Sequence, residues 1–177
     1  MGEWDRFFDE SKKKFIKRHD LEMFWDDPVS DKDDRNFRDA MSKTESKIEL
    51  LLLAAAYTAG PRMHYEYVGF DPSIKQQTGI DLIIEPQAQL GPHRVDFRFE
   101  RRCYDFGNNS VLIECDGHAF HERTKEQATK DKSRDRYLQT LGHSVLRFTG
   151  SEIFNDPFKC VDEIFMFLFA RRKRGTH

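Results

Sequence analysis

Cysteine is scarce in this chain of 177 residues: Cys103, Cys115 and Cys160, an odd number at spacings that match no zinc site. A disulfide framework and a structural zinc are therefore not what organises the fold. No apolar run approaches the roughly 20 residues that a membrane-spanning helix needs. The first residues are acidic, basic and aromatic by turns, unlike a secretory leader, so a reducing cytoplasm is the expected location. Charge of one sign is also missing: Lys and Arg nearly balance Asp and Glu, leaving a formal net charge of −2. Any nucleic-acid partner must then be met by local basic patches. Internal repeats and low-complexity linkers are absent.

What is present is charge of both signs, 34% of residues, beside 38% hydrophobic residues and 16 Phe. This is the composition of a soluble globular domain with an aromatic core. Residues 1–41 read as a charged, aromatic helical extension, and 42–177 as the main domain. In the extension, Phe7, Phe8, Phe15 and Ile16 suit one helix face. The run Lys12-Lys13-Lys14 with Lys17-Arg18 is either a solvated face or an arm that contacts phosphate. Ser42-Lys43-Thr44-Glu45 has the form of a capping box. The helix that it opens runs through Ile48 to Ala56 and stops near Gly60-Pro61. Glu49 is the acid inside that apolar run, either a surface residue on an exposed stripe or the fourth acid of a site, as a metal ligand or just behind one.

Residues 61–79 look irregular. Strands are expected at Ile80–Glu85, His93–Phe99, Ser110–Cys115 and His143–Phe148. In the second, Val95, Phe97 and Phe99 alternate onto one face. A polar helix spans about Lys125–Leu141 with Gly142 as its stop. A short helix starts at Ser151, and a last one runs from Phe158 to about Arg172. The order is helix, three strands, helix, strand, helix: an α/β fold with a mixed central sheet flanked by helices. Phe165, Leu168 and Phe169 on the last helix either fill the core or form a homodimer contact.

Chemistry concentrates at Glu114-Cys115-Asp116-Gly117. Residues i and i+2 share a strand face, so Glu114 and Asp116 point one way and Cys115 the other. An antiparallel pairing with the preceding strand brings Asp96 near Glu114. Carboxylates at the ends of apolar strands are costly unless a cation meets them. Asp96, Glu114 and the Cys115 carbonyl offer oxygens to Mg²⁺ or Mn²⁺. Such an ion polarises a phosphoryl oxygen and acidifies a bound water, and two ions roughly 4 Å apart clamp attacking and leaving oxygens. Asp116 is a further ligand or water-orienting group. Lys130, Lys132 and Arg134 are cations for charge building on phosphate. His121 is a proton donor to the leaving oxygen or a phosphate contact. Asp131 and Asp135 are expected to pair with basic residues on their own helix.

Five stretches in this order resemble the PD-(D/E)XK restriction-endonuclease-like superfamily, in the branch related to very short patch repair endonucleases. They are Ser46-Lys47-Ile48-Glu49, Val95-Asp96-Phe97, Glu114-Cys115-Asp116-Gly117 with His121, Asp131 to Leu138, and Gly142 to Phe148. The resemblance spans about residues 46–153. It implies a restriction-endonuclease-like αβββαβ core and metal-dependent cleavage of DNA. It carries Asp96 and Glu114 over as metal ligands, Glu49 as the helix acid, and His121, Asp131 and Arg134 as further site residues. The chain departs from the superfamily pattern at Asp116, where the E-x-K motif has its lysine. Either Asp116 serves the metal, or the cation has moved to the next helix.

Three functions follow as expectations. The first is an endonuclease acting on DNA in restriction, repair or phage defence. The second is a non-catalytic nucleic-acid-binding or assembly module of the same fold. The third is a metal-dependent phosphatase for small molecules, which needs a closed pocket rather than an open basic groove.

Overall fold

The computed structural model describes residues 33–61, 65–104, 107–117 and 125–170, without the side chains of 33–35, 125–128, 130 and 131. The expected arm before residue 33, His121 and the expected end of the last helix after Ala170 lie outside the described residues.

The chain enters through α1 (Asp33–Lys43), which buries Phe37, Ala40 and Met41. This helix runs across the boundary drawn at residue 41, and its inner face joins the main core. Its end takes up Ser42 and Thr44, whose hydroxyls donate to Asp39 O and Met41 O. The capping residue of α2 (Lys47–Ala59) is therefore Ser46, not Ser42. Ser46 Oγ accepts from Glu49 N at 3.3 Å and donates to Glu49 Oε1 at 2.7 Å. The Ser-x-x-Glu pattern occurs twice, at 42–45 and at 46–49, and the second copy is used. Ser46→Ala should cost about 1 kcal/mol, seen as a melting point lower by roughly 2–4 °C. From Leu50 to Ala56 every residue of α2 is buried, as its apolar circumference requires.

The sheet has order β1-β2-β3-β4-β5. Its strands are β1 (Tyr67–Gly69), β2 (Ile80–Leu90), β3 (His93–Cys103), β4 (Asn109–Asp116) and β5 (Val145–Thr149). β2, β3 and β4 are antiparallel neighbours, while β1 and β5 lie parallel to β2 and β4. This mixed sheet with flanking helices is the expected α/β class. The three-residue β1 falls in the stretch read as irregular and is too short to show a period. β2 runs past Glu85 to Leu90. Pro86 and Gln87, beyond the expected end at Glu85, are an irregularity within it. β2 and β3 join through a two-residue turn at Gly91-Pro92. Gly91 has φ 60°, and a Cβ there would lie 2.5 Å from Tyr137 Oη. β5 begins two residues later than expected, because His143 N still donates to Leu138 O in closing α3 (Lys125–Thr140) around Gly142.

Two cores lie on opposite faces of the sheet. The larger packs α1, α2, α4 (Gly150–Asn155) and α5 (Pro157–Phe169) on Leu82, Ile84, Phe97, Phe99, Val111 and Ile113. Phe165 and Leu168 are buried in it and Phe169 packs against it, so these side chains serve the monomer. The smaller holds Ala88, Val95, Leu112 and Leu138 beneath α3. Val95 thus sits on the face opposite Phe97 and Phe99, contrary to simple alternation. The β2–β3 register explains this. Pro86 pairs with Phe97 and Ala88 with Val95, but Gln87 and Asp96 between them are not paired. Gln87 has φ 54°. The strands switch faces across that break. No described helix is long and apolar enough to cross a membrane.

Candidate active site

Asp96 lies where β3 parts from β4. Phe97 and Ile113 form the last backbone pair, and one more step would set Asp96 opposite Glu114. Instead, the Cys115 N–H donates to Asp96 Oδ2 at 2.6 Å. The carboxylate takes the place of the ladder partner and stands in the gap between the strand ends.

Glu114 and Asp116 share the β4 face that carries Leu112 towards α3, and the Cys115 side chain packs on the larger core. Arg134 on α3 brings Nη2 to 3.0 Å from Glu114 Oε1. This is an ion-pair contact without hydrogen-bond alignment, since buried Glu114 Oε1 and Arg134 Nε have no hydrogen-bond partner. Arg147 on β5 is in register with Glu114. Its guanidinium reaches Asp135 Oδ1 at 2.7 Å and Asp116 Oδ1 at 3.4 Å. Asp135 therefore pairs across to β5 and not along its own helix, because alternation in β5 turns Arg147 to the α3 side. The side chain of Asp131 is outside the described residues.

Glu49 is buried, not on an exposed stripe. Its carboxylate accepts from Glu45 N at 2.9 Å, Ser46 Oγ at 2.7 Å and Gln87 Nε2 at 2.8 Å. Burial raises its pKa, and the nearby Asp96 charge adds to the rise. Burial likewise raises Asp96, against the pull of the Cys115 N–H and Arg134. Glu114 is pushed up to about 7, first by burial and then by Asp96, with Arg134 opposing. The Cys115 thiol is driven up by burial and by Asp96, Glu49 and Glu114 together. The acids thus act on one another around the end of β4, as one constellation.

Among the described residues, no three His, Cys, Asp or Glu side chains stand close enough to hold a metal ion as they are. The donor chemistry still fits a hard cation. Asp96 and Glu114 supply carboxylate oxygens, their charged forms are disfavoured by burial, and Glu114 Oε1 makes no aligned hydrogen bond beyond its ion-pair contact with Arg134. Of the other expected residues, Arg134 and Asp116 reach the site. Lys132 is exposed, about 200° around the helix from Arg134, and points away. The side chain of Lys130, and all of His121, lie outside the described residues. Two contributors escaped the sequence reading. Arg147 could have been found by alternation in β5, which sets it on the face of Glu114 and Asp116. Gln87 carries no such mark.

No curated protein and no solved structure matches the chain. The family model REase_MTES_1575, of a restriction-endonuclease family, matches residues 73–168, more than half of the sequence. That stretch contains Asp96, Glu114, Asp116, Arg134 and Arg147, the residues just described at the open end of β3 and β4. The chain belongs to this restriction-endonuclease-like family.

Proposed function

We propose that the protein is a metal-dependent endonuclease for DNA, in the branch related to very short patch repair endonucleases. The observation that carries this reading is the acid constellation at the parted ends of β3 and β4, buried at Glu49 and Glu114 and half-buried at Asp96 and Asp116. Asp96, Glu114 and the Cys115 carbonyl would hold Mg²⁺ or Mn²⁺, with Glu49 behind them. A bound ion would supply Lewis acidity at the phosphoryl oxygen and a more acidic water.

The chain's own groups do the rest. The Cys115 N–H fixes Asp96 at the gap. Arg134, already within 3.0 Å of Glu114, brings positive charge to where phosphate charge builds. Asp116 occupies the position of the superfamily lysine and cannot act as a cation. It is held by Arg147 and serves to orient water or metal. His121 and Lys130 remain candidates for proton donation and phosphate contact, whereas Lys132 points away from the acids.

The Arg134–Glu114 pair also favours a second reading. A cation already meets this acid, as it would in a non-catalytic nucleic-acid-binding module. Supercoiled plasmid with Mg²⁺ or Mn²⁺, beside a small phosphate monoester, separates the readings. Nicked or linear plasmid with intact monoester is the expected result. Hydrolysis of the monoester alone would contradict a DNA enzyme. Salt-sensitive DNA binding without cleavage would favour the module.

A further inference from the structure

Among the described residues, Gln87 is the one non-glycine residue with a positive φ, 54°. Left-handed backbone at a residue with a side chain is uncommon, and such strain collects at functional sites. Gln87 stands opposite Asp96 in the β2–β3 register, in the single step where pairing lapses between Pro86↔Phe97 and Ala88↔Val95. Its amide crosses to α2 and donates to Glu49 Oε2 at 2.8 Å. One residue therefore faces Asp96 along the sheet and grips Glu49 across the core.

We propose that Gln87 is a positioning residue for the carboxylate site: its backbone makes the break that frees Asp96 from the ladder, and its amide orients Glu49. This rests on the metal-nuclease reading above. A neutral donor suits the task. It fixes a carboxylate without neutralising it, whereas Lys or Arg would compete with the metal for the same charge. The three donors on Glu49 come from main chain, hydroxyl and amide, and none is cationic. Residues that orient ligand carboxylates typically change metal affinity by about 10–100-fold when removed.

The test uses the full chain as wild type, Gln87→Gly, Glu49→Ala and the double variant. Glycine is at home at φ 54°, so Q87G removes the amide and spares the backbone. Mn²⁺ affinity is measured by calorimetric titration, with melting in EDTA as the folding control. Q87G should melt close to wild type and bind Mn²⁺ about tenfold or more weakly. The loss should not multiply with that of E49A, because both remove one pathway. Wild-type Mn²⁺ affinity in Q87G would overturn the proposal and leave the metal reading standing. So would losses that multiply, or a Q87G chain that fails to fold, which would make the amide a structural strut. A wild type that takes up no Mn²⁺ overturns this proposal and the metal reading together.

Discussion

Metal-free protein should lose stability as the pH rises from about 4.5 to 7, and Glu114→Gln should remove most of that loss. The Glu114 carboxyl has a pKa of 4.5 in ordinary surroundings and about 7 in the fold, chiefly through burial. Between these values the folded chain keeps a proton that the unfolded chain has released. Raising the pH then favours unfolding, by up to about 3 kcal/mol for a shift of this size. Below pH 4.5 both states are protonated and the cost vanishes; above 7 both are ionised and it is constant. Asp96 and Glu49 are raised as well and act in the same direction. Glutamine is neutral throughout, so it removes the Glu114 part of the slope while keeping the shape. Urea unfolding in EDTA at pH 5 and pH 8 measures this. Equal slopes in wild type and E114Q would contradict it. Saturating Mn²⁺ should restore wild-type stability at pH 8, since a ligand of the folded state stabilises it.

The second large effect is expected at Arg147. Its guanidinium joins Asp116 on β4 to Asp135 on α3, and less than a third of each side chain is exposed. Arg147→Met would fill the space but take that cation from both carboxylates. Removing one partner of such half-buried pairs should cost about 1–2 kcal/mol, between the exposed and the buried case, or roughly 2–8 °C in melting point for a chain of this size. Asp135→Asn in the same chain should recover part of the loss, because it removes one of the two charges that Arg147 had met. A double-mutant cycle reads the coupling directly. An unchanged melting point in R147M would show that this bridge holds nothing in solution.

The acids were legible in the sequence because they violate its pattern. Glu114 and Asp116 end an apolar β-branched run, and Asp96 interrupts another, so each demands a partner that the strand does not provide. The helices and the main strands were legible from period and stop residues, Gly142 above all. What stayed hidden depends on competition between equivalent local solutions, or on contacts distant along the chain. Two Ser-x-x-Glu boxes lie side by side, and only the packing of Phe37 and Met41 decides that α1 takes up the first. Val95 changes face because Gln87 turns left-handed, and that turn is answered by Glu49, 38 residues away. β1 is held by its pairing with β2, not by a pattern of its own.

Asp96 and Glu114 are proposed as the metal centre of a DNA nuclease. The most direct measurement compares wild type with the Asp96→Ala/Glu114→Ala double variant on supercoiled plasmid, with Mg²⁺ or Mn²⁺ and with EDTA, alongside DNA binding by both proteins. Wild type should nick or linearise the plasmid only with the metal, the double variant should fall to background, and both should still bind DNA. Cleavage that survives in the double variant would contradict it.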